Sequence, residues 1–130
     1  MLDSNLCIRV LRDRPVSMQE RFMAEAPALA ISTIVLHELQ YGAERSGRPD
    51  FQHQKVAQFT NNLTVLAFDS EAALHAANIK AELAVRGNLI GPNDLLIAGH
   101  ARSLGLKLIT GNLREFTRVD GLACEDWLAK

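Results

Sequence analysis

The stretch GPNDLLIAGHA, residues 91–101, places an ionisable Asp94 at the head of a segment that is otherwise mostly apolar. A carboxylate there is either ordinary helix chemistry, favoured by the partial positive charge of a helix N-terminus, or a group aimed at something. Other reactive side chains offer less. HELQY at 37–41 begins like the zinc-binding HExxH, but Tyr41 stands where the second histidine belongs. His37, His53, His75 and His100 show no metal-ligand pairing and read as surface or core-edge histidines. Cys7 and Cys124 have no histidine partner in a recognisable motif, and GxSxG, P-loop and GxGxxG sequences are absent. The other polar positions that stand out are two carboxylates, Asp3 and Glu38, and the amide of Asn112.

These four positions are far apart in the chain, so the elements around them must gather them. Apolar runs of strand length alternate with segments of helical period. MLD reads as the end of a short first strand; ALAIS (28–32), TVLAF (64–68) and KLIT (107–110) read as strands, and LACE (122–125) as a weak last one. Helices are predicted over 5–12, 16–26, 33–46 and about 50–62. A long one follows Asp69 and Ser70, and another runs from Asn93 or Asp94 to about Leu104. Ala72, Ala76, Ile79 and Leu83 form a core-facing stripe on the first of these, and Ile97, Ala98, Ala101 and Leu104 share one face of the second. This alternation predicts an α/β fold with a mostly parallel sheet and helices on both faces.

In such sheets ligands bind beyond the carboxyl ends of the strands. Asp3 closes the first strand, and Asn112 lies just past the end of KLIT. Glu38 is about one and a half turns into the helix behind Ser32 and Thr33, and Asp94 is in the first turn of the helix that feeds KLIT. All four therefore have a route to one edge. Singly, each also has a plainer role: a helix-dipole acid, a solvent-facing stripe through Glu38 and Glu44, a solvated chain end, a turn residue.

With 130 residues, 48% of them hydrophobic, the chain is long enough for one globular domain over 1–130 with its own core. Two distant cysteines do not make a disulfide scaffold, so a reducing cytoplasm is the default expectation. The N-terminus lacks a signal peptide's basic head and apolar run, and no stretch approaches the roughly 18 apolar residues that span a bilayer. Fourteen basic residues against fifteen acidic argue neither for nor against a nucleic-acid partner, which leaves the decision to local charge.

Four stretches decide more than composition does. MLDSNLCI, ISTIVLHELQYGAERS, IGPNDLLIAGHARSLGLKLITGNLREFTRV and the closing CEDW, in this order over essentially the whole chain, resemble the PIN-domain ribonucleases. More narrowly they resemble the VapC toxins of bacterial type II (VapBC) toxin–antitoxin pairs. The resemblance implies a three-layer α/β/α sandwich whose four- to five-stranded sheet has the order 3-2-1-4-5, with acids clustered at its carboxyl edge. It also implies a Mg²⁺- (or Mn²⁺-) dependent endoribonuclease.

Residue by residue, Asp3, Ser4 and Asn5 fall on the family's D-[ST]-N, Glu38 on its helical glutamate and Asp94 on its central aspartate. Asn112 falls on a last position that is often Asp, and Arg114 and Glu115 match an NxREF segment. By this likeness Asp3, Glu38, Asp94 and Asn112 form the catalytic set, with Asp3, Asp94 and Glu38 on the metal and Asn112 as an outer ligand. Ser4 is expected to hold the attacking water or a carboxylate. Because Asn112 is neutral, Glu115 is the candidate for a fourth charge. Family members often have a longer first strand, so this one is either short or trimmed.

The implied substrate is structured RNA, tRNA first and the initiator tRNA anticodon region in particular, with translation inhibited as the result. Phosphates are gripped mainly by arginine and lysine, which singles out Arg9, Arg12, Arg14 and Arg114 near the acidic edge. The implied partners are a second copy, a VapB-type antitoxin that plugs the acidic pocket, and a larger toxin–antitoxin assembly; no membrane is implied.

A receiver-type phosphoacceptor domain is the rival from another class, with Asp69 at the end of TVLAF as its acceptor. It lacks an acidic pair after the first strand and a lysine after the last, and Asp69 is better explained as a helix N-cap. A non-catalytic binding module on the same fold has no use for Asp3, Glu38 and Asp94 together.

Overall fold

The computed structural model describes residues 1–12 and 16–127. Arg14, singled out above for RNA contact, lies outside the described residues.

Helix starts follow local chemistry. α1 (Ser4–Leu11) is capped by Asp3, whose carboxylate accepts from Leu6 N at 2.9 Å. α2 (Val16–Glu25) leads through a 3₁₀ turn at Ala26–Ala28 into β1 (Ala30–Ser32). Ser32 then caps α3 (Thr33–Glu44) by accepting from Ile34 N at 3.0 Å. α4 (Pro49–Thr60) opens on a proline, whose missing N–H is no loss in a first turn. β2 (Thr64–Leu66) follows, and Asp69 caps α5 (Ser70–Val85) through a 3.0 Å bond from Ala72 N. That cap is the role expected of Asp69, and it occupies the carboxylate a receiver would need. α6 (Pro92–Ser103) starts on a second proline; β3 (Leu108–Thr110), the one-turn α7 (Leu113–Phe116) and β4 (Cys124–Asp126) complete the chain.

The strands form two parallel pairs, β1 with β2 and β3 with β4. Met1–Asp3 joins them. Leu2 N donates to Ala30 O (2.9 Å), Ile109 N to Met1 O (2.7 Å) and Asp3 N to Ile109 O (3.1 Å), with a parallel bridge between Leu2 and Ile109. Hydrogen-bonded neighbours therefore run β2, β1, Met1–Asp3, β3, β4. Counting the N-terminal segment as the first strand, this is the succession 3-2-1-4-5.

The strands are shorter than the sequence suggests. Residues 26–28 coil tightly around Pro27 instead of opening the second strand, and TVLAF pairs only over its first three residues. The last strand is displaced from 122–125 to Cys124–Asp126, which brings Asp126 to its end.

The α5 stripe is buried as its period requires: Ala72, Ala76, Ile79 and Leu83 all face the core. On α6, Ile97, Ala98 and Ala101 are buried, but Leu104 is exposed. It is the C-cap residue, and the chain turns out of the helix through Gly105 at φ +65°. His100, expected at a surface or core edge, is instead fully buried beside Phe68. α5 and α6 touch backbone to backbone: a Cβ on Gly99 would lie 2.5 Å from Ala76 N. Across the sheet, Phe22 of α2 stacks on Phe59 of α4 with ring centroids 4.8 Å apart. No helix among the described residues is long and apolar enough to cross a membrane.

Candidate active site

The N-terminal segment runs down the middle of the sheet, so the residue that ends it emerges at the centre of the carboxyl edge. That residue is Asp3, only 2% exposed. One carboxylate oxygen caps α1, and the other accepts from the hydroxyl of Thr110, the buried last residue of β3. Thr110 Oγ1 in turn accepts from Asn112 N at 2.7 Å, which fixes the turn beyond β3. One residue after Asp3, Ser4 donates its hydroxyl to Glu38 Oε1 of α3. Glu44, on the other side of the same helix, faces solvent and pairs with His53 at 3.1 Å. The polar stripe through Glu38 and Glu44 is thus split: one acid turns inward, one outward.

Asp94 stands in the first turn of α6, as expected. A Cβ on Gly91, the N-cap of that helix, would come within 3.2 Å of Asp94 Oδ2, so the glycine leaves room for the carboxylate. Across from it is Glu115 of α7, whose carboxyl is near enough to raise the pKa of Asp94. Glu115 Oε2 is buried without a hydrogen-bond partner.

Electrostatics show that these groups sense one another. Burial pushes Asp3 up from the usual carboxylate range; bonds from Thr110 and Leu6 oppose this, and the charges of Glu38 and Asp126 add to it. Asp94 is pushed up to about 7, first by burial, then by its hydrogen bond to Glu115, then by the charges of Glu115, Asp3 and Glu38. Acids from the N-terminal segment, α3, α6 and α7 are therefore near enough at the carboxyl edge to feel one another's charge. Asn112 has an exposed side chain and joins them through its backbone, its N–H donating to Thr110 Oγ1 and its carbonyl accepting from Glu115 N at 3.2 Å. Asn5 is exposed and accepts from Arg9 at 3.1 Å. Arg12 and Arg114 are exposed, and neither side chain has a partner among the described residues.

One acid at this edge escaped the sequence reading. Asp126 ends β4 in register with Thr110, on the strand beside the hydroxyl that holds Asp3. Its signal was present in CEDW, but a last strand ending at 125 leaves it outside the sheet.

The donor set is all hard oxygen, which suits Mg²⁺ or Mn²⁺ and not a thiolate-seeking metal. A carboxyl holding its proton to about pH 7 beside a buried, unpartnered carboxylate oxygen has the chemistry of a cation site, because a divalent ion can replace the proton. Among the described residues no group of three or more His, Cys, Asp or Glu side chains is gathered closely enough to hold a metal ion. Mg²⁺ does not require one, since it retains several waters and takes few protein ligands directly. The residues fit such an ion.

Thr110 is the simplest structural test of this arrangement. Thr110→Val preserves shape but leaves Asp3 Oδ2 without its donor, at a cost of about 1–3 kcal/mol. Thermal unfolding of Thr110→Val is expected several degrees below the parent, and an unchanged midpoint would show that the Asp3 carboxylate is not held there.

Residues 1–122 match the family profile of the PIN domain. The chain belongs to the PIN-domain family. Its relatives include the tRNA(fMet)-specific endonuclease VapC of Shigella flexneri, 46% identical over 98% of this chain and 96% of that one. Ribonuclease VapC2 of Haemophilus influenzae is 45% identical over 98% of this chain and 97% of its own length. Among solved structures, the DNA-bound VapBC of Salmonella typhimurium superposes with a TM-score of 0.93 at 46% identity, over 98% of this chain and 96% of that one. PIN-domain ribonucleases are generally dependent on divalent metals, and the acids of this PIN domain lie at the carboxyl edge of the sheet.

Proposed function

We propose that this PIN-domain chain is the toxin of a VapBC-type pair and cleaves structured RNA as a Mg²⁺-dependent endoribonuclease. The observation that carries this reading is the electrostatic coupling of Asp94 to Glu115, Asp3 and Glu38 at the carboxyl edge of the sheet. The names of the relatives support it and direct the substrate towards tRNA, the initiator tRNA first. A VapB-type antitoxin, a second copy of the chain and action in the cytoplasm follow by the same likeness.

Asp3, Asp94 and Glu38 would hold the ion, with Glu115 contributing the charge that the neutral Asn112 does not. A divalent ion there would supply an acidified water for attack on phosphorus and would offset charge on the phosphate oxygens. The chain's own part is orientation. Thr110 fixes Asp3, Ser4 fixes Glu38, and the first turn of α6 fixes Asp94 against Glu115. Arg9, Arg12 and Arg114 are the cations we assign to the phosphates of the RNA strand. Purified protein incubated with total cellular RNA should cut it in Mg²⁺ and not in EDTA. Equal cutting in both, or none in either, would refute the reading.

The acid pair also makes stability depend on pH. Asp94 keeps its proton to about pH 7 in the fold and releases it near 3.8 when unfolded. Without metal, its contribution is therefore present at acid pH and is lost as pH rises through about 7. Melting in EDTA should be lower at pH 8 than at pH 5.5, and Mg²⁺ should restore more at pH 8, where no proton competes. A Mg²⁺ increment that is larger at pH 5.5 would contradict the assignment of Asp94.

A further inference from the structure

A groove opens at Glu38 and runs between α1, α3 and α4, enclosing about 320 Å³. Gly42 lines it, one helical turn beyond Glu38. Glycine weakens the middle of a helix relative to alanine, so its presence needs a reason. Its φ is not left-handed, and a Cβ there would meet nothing within 4 Å. Neither backbone nor packing demands this glycine, in contrast to Gly99 against Ala76. Space therefore lies open beside Glu38, where an occupant from outside the chain fits.

The lining indicates what that is. Ile8, Leu39 and Val56 supply apolar surface, and the half-buried amide of Gln52 has no partner among the described residues. Two cations stand on the same groove: Arg12, whose guanidinium is unpaired among the described residues, and Lys55, which donates to Leu11 O at 2.9 Å. In a chain of net charge −1 this is a local concentration of positive charge. Apolar surface for a base, a free amide for its edge and two cations for phosphate together suit a nucleotide. Glu38, which lines the groove, also accepts from Ser4, the residue next to Asp3, so a strand cut at these acids would lay its next nucleotide along the groove.

We propose that this groove receives one unstacked nucleotide of the RNA strand next to the scissile phosphate, and that Gln52 reads its base. The inference rests on the ribonuclease reading above and adds the site that selects the sequence.

The test uses the full chain with a fluorescein-labelled RNA hairpin carrying an unpaired seven-nucleotide loop. Binding is measured by anisotropy in EDTA and cleavage in Mg²⁺, for the parent, Gly42→Leu and Gln52→Ala. Gly42→Leu should melt no lower than the parent, bind the hairpin roughly tenfold more weakly and raise KM with little change in kcat, as lost substrate binding requires. Gln52→Ala, which leaves the groove open, should blur the base preference beside the cut in a loop-randomised pool. Should Gly42→Leu fold poorly, Gln52→Ala and Arg12→Ala decide the matter alone. A parent that cuts RNA while the variants bind and cut identically overturns the groove and spares the ribonuclease reading. A parent inert on all RNA removes both. If Gly42→Leu keeps parental RNA binding but escapes inhibition by the co-expressed antitoxin, the groove belongs to a protein partner and the inference is wrong.

Discussion

Asp94→Asn is expected to leave the chain folded and to lower RNA cleavage by at least about 10²-fold, the order lost when one electrostatic contact to developing charge is removed. The reason is positional. Asp94 lies in the first turn of α6, where an acid is welcome on any helix, yet it faces Glu115 and feels Asp3 and Glu38. The amide keeps the size of the side chain and removes the charge a cation needs. It also removes repulsion among buried acids, so the metal-free variant should melt at or above the parent temperature. Single-turnover cleavage together with thermal unfolding separates the two effects. A parental cleavage rate would reduce Asp94 to a helix-dipole residue, and a collapsed melting temperature would make it a structural one.

Gly99→Ala is expected to be the most damaging single-methyl change to the fold. The added Cβ would fall 2.5 Å from Ala76 N and 2.6 Å from Ala76 Cα, and backbone cannot rotate away as a side chain can. α5 and α6 must separate. The cost should reach or pass the upper end of the about 1–3 kcal/mol typical of overpacking, which lowers the melting temperature by roughly 10 °C in a chain of this size. Because α6 carries Asp94, cleavage should fall along with stability. A midpoint within 2 °C of the parent would show that the two helices are not in the contact described.

The contrast between the two variants reflects what was legible in the sequence. Caps and periodicities are local signals, so Asp69 before α5, Ser32 before α3 and the stripe Ala72, Ala76, Ile79 and Leu83 could be read directly. The backbone approach at Gly99 is a long-range event, and nothing adjacent to it in sequence announces it. Strand ends were harder for a related reason. Each strand is three residues long, too short for alternation to fix a boundary, and β2 lies at the sheet edge with Thr64 and Val65 exposed. The last strand was expected to end at 125, one residue short of its end at Asp126, and so Asp126 was hidden.

The candidate site was partly legible. Asp3, Glu38 and Asp94 were singled out from their places at strand ends and first turns, and in the fold their charges interact. Where a neutral Asn112 follows β3, the sequence offered Asn112 and Glu115 without ranking them. One turn of α7 separates them: Glu115 lies beside Asp94, and the Asn112 side chain is exposed. His100 resisted for the opposite reason. A lone histidine is ordinarily at a surface, and only the packing of α6 reveals that this one belongs to the core.

The whole account depends on acids from distant parts of the chain jointly gripping one divalent ion. Calorimetric titration of the apo-protein with Mn²⁺ at pH 8 measures that grip without any RNA or catalysis. Asp3→Asn, Glu38→Gln, Asp94→Asn and Glu115→Gln should each weaken binding relative to the parent. Binding of equal strength in all five proteins, or none in the parent, would contradict the claim.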